Sequence, residues 1–262
     1  MNILDKIIAA KRIEVEQRKA VTPVDVLRQS DLYAKPRYSL KQFLLDENKT
    51  GIIAEFKRQS PSKGIINAVA DVVEVTSAYT KNGASCLSVL TDEQFFGGGT
   101  ADLIKARVNE IPILRKEFIV DEYQLEEAKS MGADVILLIA ACLPVDEVKR
   151  LAVYAKSLGL EVLLELHAEE ELGHICDETE IVGINNRNLK TFEVDIERSL
   201  QMAKKIPADK IKVAESGISS VENILLFKQN GFKGFLIGEN FMKEANPGLA
   251  FEQFTKQLNN QK

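Results

Sequence analysis

Glu55 and Lys57 stand two residues apart where an apolar run over residues 51–57 gives out, a spacing that sets both side chains on one face of a β-strand. Other apolar runs end the same way. Lys116 closes one, Glu165 another, Asn185 with Arg187 two residues on closes a third, and Glu215-Ser216-Gly217 a fourth. Any one of these reads most simply as a solvent-facing charge or half of a structural ion pair. Together they read differently, because strands covered on both faces carry charge only at a cost unless it is paired. Lysines and glutamates gathered in one concavity perturb each other's ionisation and supply acid and base groups.

The elements that would bring these residues together are regular. Strands are expected at 51–57, 84–90, 111–116, 133–140, 160–166, 181–186, 212–216 and 234–238. Amphipathic helices are expected between them, among them 121–131, 145–158, 196–206 and 221–230, several closed by a glycine such as Gly132 or Gly231 in the left-handed cap position. Eight strand–helix units of this length predict an α/β fold, a TIM (β/α)8 barrel, in which catalytic groups sit at the C-terminal strand ends. No G-x-G-x-x-G follows a strand, which argues against a doubly wound dinucleotide fold, and Gly97-Gly98-Gly99 reads as a flexible loop. The first fifty residues carry no strand signal. Ile3, Leu4, Ile7, Ile8 and Val15 recur at mostly helical spacing, and Leu40, Phe43 and Leu44 suggest a second short helix. The expected organisation is one barrel domain, 51–262, with a helical extension, 1–50.

Composition removes other classes. Of 262 residues, 45% are hydrophobic and 28% charged, which excludes wholesale disorder. The longest apolar run, 135–143, is too short for a transmembrane helix, so no membrane partner is expected. A net charge of −5 argues against a general nucleic-acid surface. The N-terminus lacks a signal-peptide apolar segment, and three scattered cysteines point to reduced thiols, so the expected location is cytoplasmic. With two histidines and no H-E-x-x-H or Cys/His cluster, no metal is expected. Cys86 and Cys142 read as core thiols, His167 as a supporting or solvated side chain, and Glu169–171 as a solvated face opening a helix.

The turns at Ser216-Gly217-Ile218 and Gly238-Glu239-Asn240 occupy the usual phosphate position of such barrels, where backbone N–H groups meet an anion. Glu239 is an unhelpful side chain there unless it points away, which leaves its backbone as the donor.

At these residues the chain resembles a known family. IIAEFKRQSPSKG at 52–64, ILRKEFIVDEYQ at 113–124, ADVILLIAACL at 133–143, LLELHAEEEL at 163–172, VGINNRNLKTFEVD at 182–195, VAESGIS at 213–219 and FLIGENFM at 235–242 look like indole-3-glycerol-phosphate synthase, in the family order. Glu117 stands where members usually carry Asp.

The resemblance implies a carboxy-lyase of tryptophan biosynthesis that needs no cofactor. Its substrate would be the phosphorylated 1-(2-carboxyphenylamino)-1-deoxyribulose 5-phosphate and its products indole-3-glycerol phosphate, carbon dioxide and water. It implies Lys116 as general acid, for which a pKa tuned downward is suitable. Glu165 would be base or proton shuttle, and Glu55 and Asn185 would orient groups and stabilise charge. Lys57 would contact the anionic substrate and exchange proton-transfer roles with Lys116. Ser60 and Arg187 would hold the anthranilate carboxylate side, Phe96 and Leu137 the aromatic ring. Ser216, Gly217, Gly238 and the Glu239 backbone would cradle phosphate. The rivals are a phosphoribosylanthranilate isomerase-like enzyme, disfavoured because Glu55 and Lys57 replace the cysteine it relies on, and a non-catalytic phosphate-binding barrel. The oligomeric state is open, a monomer included.

Overall fold

The structure, a computed structural model, describes residues 3–61, 63–188 and 193–261, the side chain of Ile3 excepted. Ser62 and residues 189–192, parts of two motif blocks above, lie outside the described residues.

Eight parallel strands close into a barrel: β1 (Ile52–Phe56), β2 (Cys86–Leu90), β3 (Ile113–Lys116), β4 (Val135–Ile139), β5 (Glu161–Leu166), β6 (Ile181–Asn185), β7 (Ile211–Glu215) and β8 (Phe232–Ile237). Each pairs with its sequence neighbour, and β8 pairs with β1 to complete the ring. The eight expected strands are all present, most of them a residue or two shorter than predicted. Helices cover the outside, including α4 (Val72–Lys81), α5 (Thr100–Ala106), α6 (Glu122–Ser130), α7 (Val145–Ser157), α8 (Ile196–Ala203), α9 (Val221–Gln229), α10 (Glu239–Met242) and α11 (Pro247–Asn259). Local chemistry sets their starts: Asp121 and Gln124 form a reciprocal cap on α6, Ser220 accepts from Asn223 N on α9, and Asn246 caps α11 ahead of Pro247.

Period-two alternation divides the strands between two cores. In β4, Ile136 and Leu138 pack outward under the helices, while Val135, Leu137 and Ile139 point into the barrel. In β1, Ile52, Ala54 and Phe56 join the outer core and Ile53 the inner one, so Glu55, two beyond Ile53, must also face inward. The same parity turns Lys116, Glu165, Asn185 and Glu215 inward from β3, β5, β6 and β7.

The N-terminal extension forms α1 (Ile3–Val21), α2 (Val24–Leu27) and α3 (Leu40–Leu45). Its two ends serve opposite ends of the barrel. Leu40 and Leu44 of α3 join the inner core as a floor at the N-terminal end, where Ser39 Oγ donates to Glu161 Oε1 at 2.5 Å. Leu4 and Ile7 of α1 line the C-terminal mouth. Between them Lys11, 1% exposed, places its ammonium 2.9 Å from Asp92 and 3.1 Å from Glu117. Burial lowers its pKa, but the surrounding carboxylates outweigh that and hold it above the ordinary lysine value.

Two local expectations change. Residues after β5 form a 3₁₀ helix, Glu169–His174, and Glu171 is not part of a solvated face: its carboxylate turns back to accept from His167 N at 2.6 Å and Ala168 N at 3.3 Å. The Gly97–Gly99 loop is tied to the end of β2 by backbone bonds from Gly98 N to Asp92 O and Gly99 N to Leu90 O. No helix among the described residues is long and apolar enough to cross a membrane.

Candidate active site

A cavity of about 440 Å³ opens at the C-terminal end of the barrel, and all thirteen residues singled out in the sequence line it. Its base is ionic. Lys116 Nζ sits among three carboxylates, 3.6 Å from Glu165 Oε2, 3.8 Å from Glu215 Oε2 and 3.9 Å from Glu55 Oε2. These separations exceed a hydrogen bond, so the ammonium is held by charge while its N–H groups stay available to a ligand. Lys57 Nζ lies closer to its own partner, 2.6 Å from Glu55 Oε1.

The ionisation of this base departs from one expectation. Burial pulls the Lys116 pKa down, but Glu165, Glu55 and Glu215 together raise it above the ordinary lysine value instead of tuning it downward. Lys116 is therefore a charged donor. Burial opposes the Glu165 charge, yet Lys116, His167 and Asn185 overcome it and keep this carboxyl well below the usual range. Burial also opposes charge on Glu55, and Lys57 and Lys116 win there too. Glu215 goes the other way: burial, then the neighbouring Glu165 charge, push its pKa well above the usual carboxylate range. Of the three carboxyl groups around Lys116, Glu215 is the one whose surroundings favour holding a proton.

Asn185 and His167 fix the Glu165 side chain. Arg187 N donates to Asn185 Oδ1 at 3.0 Å, which orients the amide so that Nδ2 donates to Glu165 Oε1 at 3.1 Å. His167 Nε2 lies 2.7 Å from the same oxygen. Only 7% of His167 is exposed, so the solvated reading is corrected: it faces a carboxylate in the barrel mouth.

The rim separates into an aromatic side and a turn side. Phe96 and Phe118 pack at 5.9 Å between centroids, and Leu137 rises beside them from β4. Across the cavity, Ser216 and Gly217 both adopt positive φ, 66° and 70°. Such a conformation costs a non-glycine residue about 1–2 kcal/mol, and Asn186 Nδ2 supports it by donating to Ser216 O at 2.7 Å. At Gly217 a side chain would also strike Val194, 2.3 Å away. Gly238 has a separate reason to be glycine: a Cβ there would stand 2.6 Å from Glu55 Oε1. The Glu239 carboxylate does not point away. It lies 3.6 Å from Arg187 and 3.7 Å from Lys63, on the side of the cavity where Ser60 begins a small hairpin with Gly64–Ile65.

Four residues at this site escaped the sequence reading. Glu215 was visible as a strand-end acid but has no spacing partner to mark it. Leu4 and Ile7 look like ordinary helix-face residues, and Lys11 like a solvated one. Cys86 is buried and Cys142 partly so; both are free thiols, and burial raises the pKa of each.

Comparison with known proteins was then decisive for kinship. The sequence profile described as "Indole-3-glycerol phosphate synthase" matches residues 4–254. A Bacteroides thetaiotaomicron protein named indole-3-glycerol phosphate synthase is 47% identical over 258 residues, 98% of this chain and 99% of its own. One of the same name from a Polaromonas species is 44% identical over 260 residues, 96% and 97% of the two chains. Among solved structures, a tryptophan synthase complex from Pyrococcus furiosus matches with TM-score 0.60 at 17% identity, over 81% of this chain and 99% of that one. Thiamine phosphate pyrophosphorylase from the same organism matches with TM-score 0.58 at 15% identity, over 81% and 97%. These structural likenesses bear on the barrel fold alone.

Proposed function

The chain belongs to the indole-3-glycerol phosphate synthase family and is a carboxy-lyase of tryptophan biosynthesis; from that premise we propose how its residues divide the reaction. The observation that carries the proposal is Lys116 held by charge among Glu55, Glu165 and Glu215 at the base of a cavity with an aromatic rim on one side and a glycine turn on the other.

The phosphorylated substrate presents an anthranilate ring with its carboxylate, a ketose carbonyl and a phosphate. The Ser216-Gly217 turn and the backbone at Gly238 and Glu239 take the phosphate, while Phe96 and Leu137 flank the ring. Ser60 and Arg187 meet the carboxylate, Arg187 exchanging its contact with Glu239 for the substrate's anion.

Lys116 donates to the carbonyl oxygen as the ring carbon bearing the carboxylate attacks the carbonyl carbon. A substrate that draws Glu165 or Glu55 away from Lys116 lowers the ammonium's pKa toward the donor's useful range, since those carboxylates are what raise it. Carbon dioxide leaves with its bonding pair returning to the ring. Glu165 then takes the proton from the carbon next to the new hydroxyl, and Lys57 protonates that hydroxyl so that it leaves as water. Lys57, balanced by Glu55 until substrate arrives, supplies positive charge next to the reacting centre. Glu55 and Asn185 hold these groups in register. The apolar rim, completed by Leu4 and Ile7, keeps bulk water from the ionic base and strengthens each of these interactions.

The protein works without a cofactor, in the reducing environment its three free thiols suit, and a monomer contains every residue named. The test is incubation of purified protein with 1-(2-carboxyphenylamino)-1-deoxyribulose 5-phosphate while following indole fluorescence. Fluorescent product that disappears in Lys116→Met supports the assignment. Product formation unchanged in that variant overturns it.

A further inference from the structure

Outside the residues given chemical steps, a titratable side chain stands in contact with the ionic base: His167. It is buried at the mouth, one residue past the end of β5, and its ring faces the Glu165 carboxylate. Nε2 is 2.7 Å from Glu165 Oε1, and the nearby Arg187 backbone also favours the charged ring. Its own backbone is clamped, because His167 N donates to Glu171 Oε2 at 2.6 Å. A neutral imidazole would set no charge opposite the Glu165 carboxylate at this distance, whereas the imidazolium sets a full positive one there.

We propose that His167 is a positioning residue for the reaction: as an imidazolium it pairs with Glu165, aims that carboxylate toward Lys116, and keeps it ionised into the acid range. The proposal rests on the role given above to Glu165.

The groups facing this pair come from every side. Lys116 approaches from β3 and Glu215 from β7; Asn185 shares the Glu165 Oε1 atom from β6. Glu171 adds negative charge from the 3₁₀ helix, and Cys142, whose thiol burial holds protonated, stands near Glu165 and Glu171. Burial works against charge on His167, but Glu165 and Glu171 outweigh it and raise its pKa above the usual histidine value.

The geometry divides the work around Glu165. Asn185 contributes direction without charge, and Lys116 contributes charge at 3.6 Å, longer than a hydrogen bond. His167 contributes charge at contact distance. Removing it leaves Glu165 with a neutral donor and the more distant ammonium, so its proton affinity rises. An opposite charge at this range lowers a carboxyl pKa by about 1–3 units, so the acid limb of kcat should move to higher pH by about one unit when that charge is lost.

The test has two readouts. The chain has only two histidines, His167 and His174, so their ring protons can be followed by NMR and told apart with His174→Gln. In the wild type the His167 ring should titrate above the ordinary histidine value, and in Glu165→Gln its midpoint should fall. The second readout is the pH dependence of kcat in His167→Gln, with His167→Asn beside it in case one replacement folds poorly. The expected result is a lower kcat, an acid limb displaced upward by about one unit and little change in binding of a non-reacting substrate analogue. A variant that merely loosened packing would lower thermal stability and leave the limb in place. A His167 midpoint unmoved in Glu165→Gln, or an acid limb unmoved in folded His167 variants, overturns the proposal. Full turnover in Glu165→Gln would instead overturn the role of Glu165, a failure that is read separately.

Discussion

The Glu215 side chain lies across Gly183 on the neighbouring strand, so closely that a methyl group at residue 183 would stand 2.1 Å from Glu215 Oε1. An inward-facing position of β6 is thereby left empty so that an inward-facing carboxyl of β7 can reach Lys116. Gly183→Ala should displace that carboxyl. Misplacement on this scale costs about 10²-fold in kcat/KM, while overpacking the barrel costs about 1–3 kcal/mol of stability. Paired kinetics and thermal denaturation check this; near-native kcat/KM in a folded variant would show that Glu215 is not needed where it lies.

Lys116→Met should lower kcat by about 10²–10⁴-fold, the usual contribution of a general acid, with the far-UV circular dichroism unchanged. The lysine is 17% exposed at its side chain and opens onto the cavity, so its three carboxylate neighbours can gain water or protons once it is gone. A variant retaining near-native kcat would remove Lys116 from the mechanism.

Phosphate should be held by backbone at the paired turns. Gly217→Ala forces a side chain into a left-handed residue and against Val194. Losing a hydrogen bond to a charged group, at about 1.5–3 kcal/mol, should raise KM by about 10–100-fold with a smaller effect on kcat. A crystal soaked with phosphate should show the anion between the Ser216-Gly217 and Gly238 turns; density only at the opposite, N-terminal face refutes the site.

Lys11→Met should destabilise the fold more than a surface lysine would. It leaves buried Asp92 without this cation and Glu117 with Arg115 alone, a loss of up to about 3–5 kcal/mol for a broken buried pair. The pH dependence follows in sign. Burial works against the Glu117 charge, but Arg115 and then Lys11 hold its folded pKa below the ordinary 4.5. Its stabilising contribution is complete above the unfolded value and lost as pH falls through the lower folded one. The gap in stability between wild type and variant should therefore be widest near neutral pH and shrink in acid. Chemical denaturation at several pH values measures it, and a constant gap would show that Lys11 acts through packing alone.

The site was largely legible because a barrel strand alternates strictly. Once Ile53 is inward, Glu55 is inward, and an acid closing an apolar run in a parallel strand has nowhere else to be. The barrel itself followed from eight such runs. Contacts between distant elements were not legible. Nothing in the spacing of Leu4, Ile7 and Lys11 says that α1 lies over the mouth, because an amphipathic helix shows that it has a partner without saying which. His167 looked unremarkable until its ring was seen against the Glu165 carboxylate. A Lys116 pKa tuned downward is what a general acid suggests; it rises because three carboxyl groups surround the ammonium, a count that requires three-dimensional neighbours. The short helix α2 has only four residues, too few for a periodic signal.

The floor made by Leu40 and Leu44 has a consequence for traffic. With Leu40 and Leu44 packed into the inner core between α3 and the ionic base, the cavity among the described residues opens at the C-terminal end of the barrel. Substrate enters, and carbon dioxide, water and the finished product all depart, past the same rim of α1, the Phe96 loop and the Ser60 hairpin. Occupancy of that opening couples each turnover to the one before it.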